Sequence, residues 1–138
     1  MTLEKNNSLT SFAIVLLLVG SISTLYVHAT HHKTLDEDNI VVNNIKYDII
    51  YLFSIIPEKT IILEDENLTG IPLDKLIEFT GFNCPECHQY TIIGKDGYQK
   101  TISWEEMTKG VFTRDRRVCF SDLPHAFWVR NVIEIEVN

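Results

Sequence analysis

The chain lacks a phosphate-binding glycine loop, an HExxH zinc motif and a Ser–His–Asp order, so the best-marked hydrolase and nucleotide chemistries have no foothold. It is also short of positive charge. Twelve Lys and Arg stand against 19 Asp and Glu, for a formal net charge of −7. Nucleic-acid binding draws on clustered cations that displace phosphate counterions, which argues against that class. One basic run exists, Arg114, Arg116 and Arg117, but Asp115 breaks it, and it reads as a solvated turn. Three cysteines are too few for a disulfide scaffold. What is present is an ordinary globular composition, 45% hydrophobic and 22% charged, in 138 residues. That length holds one domain and an appendage.

The appendage is N-terminal. Residues 12–29 (FAIVLLLVGSISTLYVHA) contain no acid, Lys or Arg. As a helix these 18 residues rise about 27 Å, slightly short of a hydrocarbon core of about 30 Å. Ser21, Ser23 and Thr24 do not forbid insertion, because their hydroxyls can return to backbone carbonyls. Two readings fit: a permanent membrane anchor, or a signal peptide with Val27 and Ala29 as the small residues of a cleavage site before Thr30. A buried core helix fits less well, since it would show a polar stripe. Flanking charge encodes orientation only weakly, with Lys5 opposed by Glu4 before the run and Lys33 after it. The domain is expected outside the cytoplasm, mostly because the segment also reads as a signal sequence. Residues 1–29 are therefore expected to be a signal peptide or membrane anchor, 30–38 (THHKTLDED) a polar linker, and 39–138 an extracytoplasmic domain. His28, His31 and His32 are a polar juxtamembrane stretch, with a metal site as the alternative reading.

The domain alternates short strands and helices. Strands are expected at 40–42, 60–63, 89–93, 98–104 and 117–120, with 60–63 buried. Residues 47–56 (YDIIYLFSII) suit either a helix capped by Asp48 or a strand, and Pro57 ends them either way. Pro72 opens a helix with Leu73, Leu76 and Ile77 on one face, stopped by Gly81. Asp96-Gly97 predicts a type I′ hairpin, with positive φ at both residues. Ser103 and Glu106 are spaced as a capping box for a short helix closed by Gly110. In the last strand Val129, Ile133, Ile135 and Val137 share one face, and Arg130, Glu134 and Glu136 the other. Hairpin strands with helices between them give an α+β fold with a small mixed or antiparallel sheet.

Three segments, TGIPLDKL (69–76), DGYQKTISW (96–104) and FSDLPHAFWVRNVIEIEV (120–137), come in an order that resembles the C-terminal half of the molybdopterin-binding domain of sulfite oxidase-like oxidoreductases. The resemblance covers about residues 68–138. It implies that family's fold and, by analogy, molybdopterin as a cofactor. In the family a cysteine thiolate upstream of the glycine holds molybdenum. Here residues 57–69 contain no cysteine, so the resemblance implies a related, reduced domain and not a complete enzyme.

The remaining chemical signal is Cys84-Pro85-Glu86-Cys87-His88. C-x-x-C-H is the spacing of covalent c-type haem attachment, in which His88 would reach the iron and Met107 or His125 would supply a sixth ligand. The same residues also suit a local disulfide, a redox-active dithiol, or half of a zinc site using Cys84 and Cys87, with Cys119 standing alone. Candidate cofactor-binding residues are thus Cys84, Cys87 and His88, and candidate metal ligands Cys84 and Cys87. No catalytic residue is assigned. Asp96 is a turn residue, and Glu105 and Glu106 are acids at a helix start. Tyr98, Trp104, Phe127 and Trp128 either line a pocket or fill the core. Asn67-Leu68-Thr69 is a glycosylation sequon, meaningful only if the host modifies exported proteins. Two functions survive: a noncatalytic binding or accessory module, attached to the membrane through the N-terminal helix and serving a redox partner, or a redox protein built on Cys84 and Cys87.

Overall fold

A computed structural model describes residues 13–15 and 37–138. The chain divides into two units, Met1–Leu35 and Asp36–Asn138. Of the first, residues 13–15 are helical; the rest of the expected apolar helix, and the histidines at 28, 31 and 32, lie outside the described residues. No helix among the described residues is long and apolar enough to cross a membrane.

The second unit is α+β, with two sheets and short helices. Its strands are β1 (Asn39–Val42), β2 (Ile45–Asp48), β3 (Lys59–Ile62), β4 (Asn67–Pro72), β5 (Gln89–Gly94), β6 (Gln99–Ser103), β7 (Gly110–Thr113), β8 (Val118–Phe120) and β9 (Val132–Val137). One sheet has the order β2-β1-β9-β5-β6, the other β3-β4-β7-β8. All pairings are antiparallel except β1 with β9, which puts the last strand at the centre of the five-stranded sheet.

Helix α1 (Ile49–Ile55) settles the ambiguous stretch. Asp48 ends β2 and caps the helix, its carboxylate accepting the Tyr51 N–H at 2.7 Å. Ile49 and Leu52 face inward. Helix α2 (Leu73–Phe79) buries Leu73, Leu76 and Ile77, and Gly81 follows it with φ +72, the left-handed conformation of a helix stop. Helix α3 (Trp104–Met107) has the full capping box between Ser103 and Glu106. Gly110 does not close it through positive φ. It opens β7, and a Cβ there would stand 2.6–2.7 Å from the Phe120 ring and Leu73.

The main core lies between the sheets and the helices. It includes Ile40, Leu52, Leu76, Tyr90, Ile92, Phe112, Phe120 and Ile135. Burying each such side chain contributes about 1.5–3 kcal/mol before conformational entropy is counted. β7 and β8 are buried on both faces. Phe112, Val118 and Phe120 join the main core, while Val111 and Cys119 point the other way and meet Ile61 and Leu68 in a second, smaller cluster. Trp128 packs against both clusters.

Several sequence expectations change. β3 is an edge strand and not a buried one: only Ile61 is buried, and Ile62 is 79% exposed. The hairpin between β5 and β6 is not type I′. Of its turn residues Gly97 alone has positive φ, and the Gly97 N–H donates to the Gly94 carbonyl, giving a type I turn followed by a left-handed glycine. In β9 the pairing slips between Ile93 and Gly94, which face Glu134 and Val132. That bulge skips Ile133, so Val132 and Ile135 become the buried pair. The basic run is a turn between β7 and β8, as expected, but Arg116 is half-buried there. Its guanidinium donates to the Asn39 carbonyl at 2.8 Å, to the Val132 carbonyl at 3.0 Å and to the Glu37 carbonyl. One side chain on the smaller sheet therefore grips two neighbouring strands of the larger one.

Candidate functional site

The hairpin β5–β6 has chemistry at each end. At its start, just before β5, lies the cysteine turn. Cys84 and Cys87 are joined in a disulfide with their Cα atoms 5.4 Å apart. Cys84 sits in the left-handed region at φ 51, and Pro85–Cys87 forms a single 3₁₀ turn. Both cysteines are exposed. The turn is held by contacts that do not involve sulfur. The Cys87 N–H donates to the Cys84 carbonyl at 3.0 Å, and the Tyr90 hydroxyl donates to the Pro85 carbonyl at 2.6 Å. His88 is half-buried, its ring edge-to-face with Phe82 at 4.8 Å and its Nδ1 3.2 Å from the Asn138 carbonyl.

At the other end, beyond Gly94, a groove of about 420 Å³ is lined by Glu66, Asp96, Tyr98, Arg117, His125, Trp128 and Arg130. A smaller hollow of about 190 Å³ adjoins it through Glu66, His125 and Trp128 and reaches Leu63 and Phe120. Four separate loops build this region, and each is fixed by its own contacts. The Asp96 carboxylate accepts the Tyr98 N–H at 3.0 Å, and the Tyr98 hydroxyl donates to the Ala126 carbonyl, locking the hairpin turn to the loop before β9. His125 stacks on Trp128, with ring centroids 4.0 Å apart at 28°. The buried indole N–H of Trp128 finds no acceptor among the described residues, leaving a donor unsatisfied at a residue that lines the groove. Arg117 is steadied by Asp115 at 2.6 Å. Burial pushes the Asp115 carboxyl up, but hydrogen bonds from Thr113 and Arg117 outweigh it and hold the group below its usual range. Arg130 has no carboxylate within ion-pair distance among the described residues.

The structure therefore divides the aromatic residues. Tyr98 and Trp128 line the groove, Trp128 packing against both core clusters as well, whereas Trp104 and Phe127 pack against the main core alone. Met107 is fully buried, and His125 lies at the groove, at the far end of β5 from His88. Glu66, Arg117 and Arg130 were not legible as a site. They come from three loops, and no local spacing joins them.

No family model, curated protein or solved structure matches the chain. The cofactor question rests on the donor set. Molybdenum held as in the resembled family needs a thiolate. Cys84 and Cys87 are bonded to each other and lie at the far end of β5 from the groove, and Cys119 is fully buried, its thiol pushed by burial up to about 11. The residues present do not fit that metal. Covalent haem needs both thiols of the pair to form thioethers, which the oxidised turn does not offer. Among the described residues, no three His, Cys, Asp or Glu come together as a metal cage.

Proposed function

We propose that the chain is a membrane-anchored or exported accessory module of the molybdopterin-binding oxidoreductase type, whose task is noncatalytic binding of a small ligand in the groove at the Gly94–Tyr98 turn. One observation carries the reading. The second and third segments of the family resemblance, far apart in sequence, meet at this groove and supply Asp96, Tyr98, His125, Trp128 and Arg130. The lining suits a planar heterocycle with a negative group. Tyr98 and the His125–Trp128 stack offer ring faces, Arg130 and Arg117 meet an anion, and Glu66 and Asp96 accept ring N–H donors. Binding is the activity this reading assigns to these residues.

Isothermal titration calorimetry of the full chain with pterin-6-carboxylate, a planar heterocyclic anion, tests this. Saturable binding that weakens about tenfold or more in Arg130→Ala is the expected result, since a charge-assisted hydrogen bond contributes about 1.5–3 kcal/mol. The protein from its own host is expected to carry no stoichiometric molybdenum by elemental analysis. An affinity that Arg130→Ala leaves unchanged, or no heat at all, would remove the groove from consideration.

A further inference from the structure

We propose that the Cys84–Cys87 disulfide is a reversible exchange site, reduced by a C-x-x-C protein in its dithiol form and re-formed by exchange with a C-x-x-C protein in its disulfide form, which takes the two electrons back, while the domain stays folded. Three observations carry it. Both cysteines are exposed, so a partner thiolate has a line of approach to sulfur. No residue of the turn is buried, so the bond staples nothing in the core. The turn is also independent of the bond. The Cys87 N–H to Cys84 carbonyl bond, the Tyr90 hydroxyl on the Pro85 carbonyl, and His88 seated between Phe82 and Asn138 hold the same backbone in either redox state. The cysteines therefore remain about as close after reduction, poised to close again.

In the exchange step the partner thiolate attacks one sulfur and the Cys84–Cys87 bond breaks. A mixed disulfide forms, and the other sulfur leaves as a thiolate and takes up a proton. The partner's second thiol then attacks the mixed disulfide. Two electrons and two protons have passed from the partner dithiol to Cys84 and Cys87, and the partner departs as a disulfide. The one charged side chain inside the turn is Glu86, an acid. It gives no cationic support to a thiolate, so the oxidised form is favoured and the pair calls for a strongly reducing dithiol.

The test uses the full chain in detergent, incubated natively with an excess of reduced thioredoxin as the C-x-x-C dithiol or with glutathione at equal thiol. Alkylation and mass spectrometry follow, with circular dichroism of the reduced protein. The expected result is two new alkyl groups on Cys84 and Cys87 with thioredoxin, formed faster than with glutathione. The buried Cys119 stays unlabelled, and the thermal midpoint falls by less than about 10 °C. The Cys84→Ser/Cys87→Ser variant should match the reduced protein's midpoint. A pair that thioredoxin leaves oxidised in the folded protein overturns the proposal. So does a larger fall on reduction shared by the double variant, which would make the bond a structural staple.

Discussion

Cys119 shows how one residue's environment decides its chemistry. It lies on β8 against Ile61, Leu68 and Val111, and burial is the chief cause that lifts its thiol from an ordinary 9.0 to about 11, with Asp115 and Glu66 adding to the rise and Arg117 opposing it. The folded state thus holds the proton after the unfolded state has lost it. Stability from this group is complete below pH 9.0 and is lost as pH rises toward about 11. Tyr90 shifts the same way, through burial first and then the nearby Glu86. Thermal midpoints measured from pH 8 to 11 are therefore expected to fall more steeply in the wild-type protein than in Cys119→Ala. Parallel curves for the two would show that the thiol is not held neutral by the fold. At this scale the sequence was legible wherever partners are close along the chain. The three-residue spacing of Cys84 and Cys87 suited a local disulfide; that Cys84 takes the left-handed conformation, and not the extended one that a following proline favours, was not legible. The surroundings of Cys119 were not legible either, because Ile61 and Leu68 approach it only through the side-by-side pairing of β3, β4, β7 and β8.

Among the elements, local chemistry carried what could be read in advance. Asp48 and the Ser103–Glu106 box cap helices, and Gly81 stops one, as their spacing suggests. β4 and β7 were not legible as strands. β4 (NLTGIP) contains Asn, Gly and Pro, which are poor strand formers, and its Gly70 is required because a Cβ would stand 2.3 Å from the Phe112 carbonyl oxygen. β7 is four residues long and buried throughout, so it shows no alternation. Nor could a basic run reveal that Arg116 reaches Asn39 and Val132. Replacing it is expected to uncouple the β7–β8 turn from β1 and β9. Arg116→Ala should lose about 2–3 kcal/mol in urea unfolding, the scale of a charged group's hydrogen bonds. Arg116→Lys should recover little of that, since an ammonium lacks the planar fork. Full recovery by lysine would mean that charge alone holds the turn. Arg114, by contrast, spans Glu58 and the Phe53 ring near the surface.

For the molecule as a whole, the proposed location rests on the apolar run at 12–29. The protein is expected to fractionate with membranes, or to be secreted after losing about its first 29 residues, the length of the signal reading. Subcellular fractionation with intact-mass measurement checks it, and full-length chain found soluble in the cytoplasm would end the reading. An oxidising compartment also suits a disulfide at Cys84 and Cys87.

The layout of the β5–β6 hairpin has one more consequence. Its first strand carries the cysteine turn at one end and the groove at the other, and six residues of strand span roughly 20 Å. On the two proposals above, ligand and redox partner would meet the domain at opposite ends of this one strand, so that neither takes the other's place.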